Sequence, residues 1–153
     1  METVLQYEIP VLHPLAVHFP IALLVAAAVC AILWMATAQA LWRRIAAVLL
    51  VAGTLGAAFA YFTGEEMKDL SADVPIVEDL VGIHEDFALV TLLASLLLSI
   101  IVGVIEVRRL GTASEARDPL PVRAAVLVGF VVVALLVLFT GHIGGIMVWG
   151  VAG

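Results

Sequence analysis

The chain has 153 residues, 64% of them hydrophobic and 13% charged, with a formal net charge of −6. A soluble domain holds about 45–50% apolar and roughly 25% charged residues, so this composition excludes an ordinary soluble domain and indicates one compact integral membrane bundle. The acidic balance excludes nucleic-acid binding, and the single cysteine, Cys30, excludes an internal disulfide or a thiolate cluster and reads as a packing residue.

A membrane span needs about 20 apolar residues, and four segments qualify. The predicted spans run over residues 15–36, 45–62, 83–107 and 122–139. A short link, residues 37–44, joins the first two. An acidic connection, residues 63–82, joins the second and third, and residues 108–121 join the third and fourth. Short links make sequential helices antiparallel neighbours. The expected fold is therefore all-α, an integral membrane four-helix up-down-up-down bundle with both termini outside.

Charge orients the bundle. Arg43, Arg44, Arg108, Arg109, Arg117 and Arg123 flank one face, against Lys68 alone on the other. That opposite face carries Glu2, Glu8, Glu65, Glu66, Asp69, Asp73, Glu78, Asp79, Glu85 and Asp86. The positive-inside rule puts the arginine face in the cytoplasm of a bacterial inner membrane and the acidic loop in the periplasm. Trp34 and Trp42 are expected at the inner interface, Tyr61 and Trp149 at the outer one. The first span is expected to be retained, because a signal peptide needs a basic amino-terminal region and this one has Glu2 and Glu8 instead.

All four histidines, His13, His18, His84 and His142, then fall at the outer end of the spans. A polar ring at the edge of a bilayer is costly without a partner, so a cluster of them suggests a site. His18 and His84 open spans one and three, which are diagonal in an up-down-up-down square. Facing imidazoles on such helices are what bis-histidine haem ligation requires. His142 is the alternative ligand or a propionate partner. His13 lies about 140° round the helix from His18 and is expected to cap the entrance, with a metal-ligand role left open. Span two carries a small face with Gly53, Gly56, Ala57, Ala60 and Gly64. That face either packs another helix closely or makes room for a flat cofactor, with Gly53, Gly56 and Ala60 as its cofactor-lining candidates.

The string from His13 to Leu23 reads HPLAVHFPIAL, and that from Thr140 to Gly145 reads TGHIGG. With four apolar spans between them, these strings resemble the bacterial membrane family DUF2231 over nearly the whole chain. His18 and His142 match its motifs, and His84 looks like its middle histidine. The tail Trp149-Gly150-Val151-Ala152-Gly153 departs from the family's longer ending. Relatives stand beside cytochrome c-type or Rieske-type domains, which implies a membrane redox role.

The expected function is a b-type cytochrome-like electron-transfer subunit, an accessory rather than a stand-alone enzyme. It would hold haem b near the outer face. Its partners would be the bilayer, other membrane subunits and a quinone or periplasmic cytochrome c. Two alternatives stand beside it: a transition-metal site without haem, and a structural subunit or anchor of a larger complex. No nucleophile elbow, phosphate loop or HExxH string is present.

Overall fold

Hydrophobic patterning becomes five helices in the computed structural model, which describes residues 12–71, 73–110 and 118–150. Glu2, Glu8, Arg117 and both chain ends lie outside those residues. Helix α1 (His13–Ala16) is one turn, and α2 (His18–Thr37) continues it after Val17. Helices α3 (Ala40–Leu70), α4 (Pro75–Leu110) and α5 (Leu120–Trp149) follow. Helices α1 and α2 form one stretch, and this stretch, α3, α4 and α5 are each long and apolar enough to cross a membrane.

The helices form a square. Helix α2 packs on α3 and α5, and α4 packs on the same two, so α2 and α4 are diagonal. The core is built from Leu24, Ala27, Ala31 and Trp34 of α2, Leu50 of α3, Leu98 and Val102 of α4, and Phe130 and Val133 of α5. Small residues permit close approach. A Cβ on Gly53 would stand 2.7 Å from Leu24, and one on Gly56 would stand 3.3 Å from Pro20. The small face of span two is thus spent, at those two positions, on packing against α2.

The turn between α2 and α3 is tight. Ala38 closes α2 with φ 57°, its N–H bonded to the Trp34 carbonyl at 2.8 Å. That left-handed position costs an L-residue roughly 1–2 kcal/mol and favours glycine. Ala38→Gly is expected to raise the unfolding midpoint in detergent; a fall would show that the Ala38 methyl matters more than its backbone.

Three expectations change. The acidic connection 63–82 is mostly helix, because Glu65, Glu66, Met67 and Lys68 are good helix formers. Helices α3 and α4 have 31 and 36 residues, about 46 and 54 Å at 1.5 Å per residue, so both outrun a hydrocarbon core of about 30 Å. Lys68 bridges to Glu85 at 2.5 Å where the two extensions run side by side. Span four also continues past residue 139 to Trp149. Trp34 is a core residue, 1% exposed, and not an interface anchor. Cys30 is buried, as its packing reading requires.

Candidate functional site

The histidine end of the bundle brings two imidazoles together across the diagonal. The His13 and His84 rings have centroids 6.3 Å apart and planes inclined at 84°. His13 enters from α1 and His84 from α4, while the other two helices offer glycines. A Cβ on Gly64 of α3 would lie 3.2 Å from His13 Cε1, and one on Gly144 of α5 would lie 3.2 Å from His84 Cε1. Neither site has room for a side chain larger than hydrogen unless a ring moves.

The two rings share a seat but not a hold. His13 Nδ1 donates to the Ala60 carbonyl at 2.9 Å, and Thr63 Oγ1 lies 3.2 Å from the same nitrogen. Ala60 is four residues before Gly64. The two hairpins, α1–α3 and α4–α5, thus repeat a ring seated on a glycine, and in the first the ring is also held by the backbone of the residue one turn earlier. Because Nδ1 of His13 meets a carbonyl, it carries the hydrogen, and Nε2 of the neutral ring is left as the acceptor nitrogen. His84 Nδ1 is buried without a hydrogen-bond partner among the described residues.

The structure separates the other expected ligands from this pair. His18 and His142 are both exposed. With His13 turned inward, the five-residue step puts His18 about 140° away, on the outside of α2. The ring opposite His84 is therefore His13, where His18 was expected. No group of three or more His, Cys, Asp or Glu able to hold a metal ion occurs among the described residues, so His18, His84 and His142 do not form a triad. Of the small-face candidates, Gly53 and Gly56 touch α2, and Ala60 takes part through its carbonyl. Sequence reasoning missed Thr63, Gly64 as a ring seat, and Gly144. The TGHIGG string contained Gly144, and its glycine was the available signal for the second seat.

A second polar cluster occupies the arginine end. Arg43, 5% exposed, binds Glu106 through Nε, and its Nη1 lies 2.5 Å from Asp118. Arg109 reaches the other Asp118 oxygen. Arg123 donates to the Met35 carbonyl at 2.8 Å. The sequence showed these arginines only as a topological charge; three of them also tie helices together.

The glycine seats make a prediction. Gly144→Ala and Gly64→Ala must each push a ring, and overpacking of this kind costs about 1–3 kcal/mol. Gly103, in α4, has nothing within 4 Å of a Cβ, so Gly103→Ala is expected to gain about 0.5–1 kcal/mol from helix propensity. Unfolding midpoints in detergent should move in opposite directions; equal shifts would dissolve the seat assignment.

The fold and its paired ring seats define a four-helix membrane protein with a polar site at one end. The chain belongs to the DUF2231 family, described as a predicted membrane protein, whose model matches residues 9–152. No curated protein and no solved structure matches the chain.

Proposed function

We propose that the protein is a b-type cytochrome-like electron-transfer subunit that ligates one haem between His13 and His84. The single observation that carries this reading is the facing ring pair on diagonal helices, seated on Gly64 and Gly144. Two imidazoles bound to one metal from opposite sides, with metal–nitrogen bonds of about 2.0–2.1 Å, have centroids roughly 6 Å apart, close to the 6.3 Å found. The donor chemistry also suits haem. His13 is held through Nδ1, with Nε2 left as its acceptor. Backbone contacts to the ring are what fixes a histidine ligand's tautomer and orientation.

Haem suits this pair better than a bare metal does. A catalytic metal site takes about three protein ligands, and a group of three His, Cys, Asp or Glu is lacking among the described residues. A haem iron needs only two axial ligands from the protein. Bound there, the group would supply one-electron transfer; the chain would supply the ligands, their orientation and a half-buried setting.

The arginine end belongs in the cytoplasm of a bacterial inner membrane, by the excess of basic residues there. The site then faces the periplasm. The exposed carboxylates of Glu65, Glu66, Asp69, Glu78 and Asp79 on the helix extensions suit a basic cytochrome c, with a quinone as the membrane-side partner. Affinity for such a carrier is expected to fall as salt rises toward 0.15 M, where the screening length is about 8 Å; salt-independent binding would remove the acidic face from docking.

The test is pyridine haemochrome quantification on protein purified from native membranes. About one haem b per chain supports the reading. No haem in folded, native-membrane protein ends it and turns attention to a structural subunit.

A further inference from the structure

Two histidines stand outside the facing ring pair. His18 and His142 are exposed, and neither makes a hydrogen bond among the described residues. The contact between α2 and α5 fixes where they stand. A Cβ on Gly141 of α5 would lie 3.0 Å from Ile21 Cδ1 of α2, so these two residues meet across the seam. His18 precedes Ile21 by three residues, which makes the two neighbours on one flank of α2. Pro20 faces α3, where it meets Gly56. His18 lies about 160° round the helix from Pro20, on the side away from α3. On α5, Thr140 faces α4, its Oγ1 3.1 Å from Thr91 Oγ1, and Gly141 faces α2. A further step of about 100° in the same direction turns His142 past α2 to the outside of the bundle. Both imidazoles therefore flank the α2–α5 seam on its outer side.

Their heights match as well. The two helices are antiparallel, so at 1.5 Å per residue His18 stands about 4.5 Å above Ile21 and His142 about 1.5 Å above Gly141. The rings thus lie within one helical turn of the same level. Their surroundings are a lipid face. Leu15, one turn above His18, is 57% exposed, and Leu138 and Phe139, one turn below His142, are each 49% exposed. An ionisable ring turned to lipid without a partner is costly to keep. Whatever pays that cost reaches both rings from within the bilayer.

We propose that His18 and His142 bind the head ring of a membrane quinone on the outer side of the α2–α5 seam, one imidazole to each of its two para oxygens. This rests on the electron-transfer reading, in which a quinone is the membrane-side partner, and gives that partner a site. Packed helices stand about 8–10 Å apart, a gap suited to one flat ring with oxygens on opposite edges. A neutral imidazole has one N–H and one acceptor nitrogen. The same pair therefore donates to the carbonyls of a quinone and accepts from the hydroxyls of a quinol. A phospholipid fits less well, because its oxygens belong to the headgroup layer, whereas lipid-exposed Leu15 stands above His18. The site is also continuous with the ring pair. His18 follows His13 by five residues, and His142 precedes Gly144, the seat of His84, by two. Binding forms hydrogen bonds only.

The test is the unfolding midpoint of the full chain in detergent, titrated with decylubiquinone. A ligand that binds only the folded state raises the midpoint in a concentration-dependent way. Wild-type protein is expected to show that rise, and decylbenzene, which has the same tail and no oxygens, is expected to give none. His18→Ala and His142→Ala should each weaken the apparent affinity about three- to tenfold, the worth of one hydrogen bond. The double variant should lose the rise. Both side chains are exposed, so these variants are expected to fold. His18→Gln, which keeps a donor and an acceptor, should recover part of the affinity, and His13→Ala should retain the rise. No rise in wild-type protein, an equal rise with decylbenzene, or an undiminished rise in the double variant overturns the proposal. A rise in protein that holds no haem upholds the quinone site while defeating the haem reading; haem-loaded protein without a rise does the reverse.

Discussion

Replacing Arg43 by alanine is expected to destabilise the bundle by about 3–5 kcal/mol, the usual cost of removing one partner from a buried ion pair. Arg43 sits at 5% exposure and holds Glu106 of α4 and Asp118, two residues before α5. Without the guanidinium, Glu106 loses a partner that contacts both of its oxygens. Asp118 keeps Arg109 but loses its most buried contact. Arg43→Lys is expected to recover only part of the loss, because one ammonium cannot reproduce a fork that meets two carboxylates. Arg108 is exposed, and Arg108→Ala should change stability by less than about 0.5 kcal/mol. Reversible unfolding in mixed detergent, followed by circular dichroism, measures both. Equal midpoints for Arg43→Ala and Arg108→Ala would show that the cluster contributes nothing to stability.

The second large effect falls at the other end. On the haem proposal, His13→Ala and His84→Ala are each expected to lower haem content or give a five-coordinate spectrum, since each would delete one of two proposed ligands. His18→Ala and His142→Ala are expected to leave the reduced-minus-oxidised spectrum unchanged, because both side chains are exposed. Thr63→Val falls between these outcomes. It removes the hydroxyl 3.2 Å from His13 Nδ1 but keeps the Ala60 carbonyl bond, so a shifted midpoint potential with full haem content is expected. Loss of haem in His18→Ala, with His13→Ala intact, would transfer the ligand role to the outer face of α2.

These contrasts trace what the sequence could and could not convey. The four spans and their cyclic packing were legible, because hydropathy and short links determine both. Two imidazoles facing across the diagonal of the square were also legible. Their identity was not. His13 and His18 stand in one string, and only the rotation of α1 and α2 decides which of them faces the axis. Hydropathy carries little information about rotation here, since α2 is apolar on nearly every side. Helix ends were misjudged for a related reason. The 20-residue rule counts apolar residues, whereas α3 and α4 continue as charged helices beyond that length. The ion cluster was hidden because Arg43, Arg109 and Asp118 come from separate segments, and nothing in their spacing predicts contact. The hydroxyls of α4 were readable in part: Thr91, Ser95 and Ser99 recur every four residues, the period of one helix face.

The central claim is that His13 and His84 ligate one haem with their rings crossed as they are in the bundle. Low-temperature electron paramagnetic resonance of the oxidised protein, purified from native membranes, tests it most directly. Imidazole planes inclined at 84° leave the ferric orbitals close in energy, and a strongly anisotropic low-spin signal is predicted. A rhombic low-spin signal, a high-spin signal, or no ferric haem signal would contradict the claim.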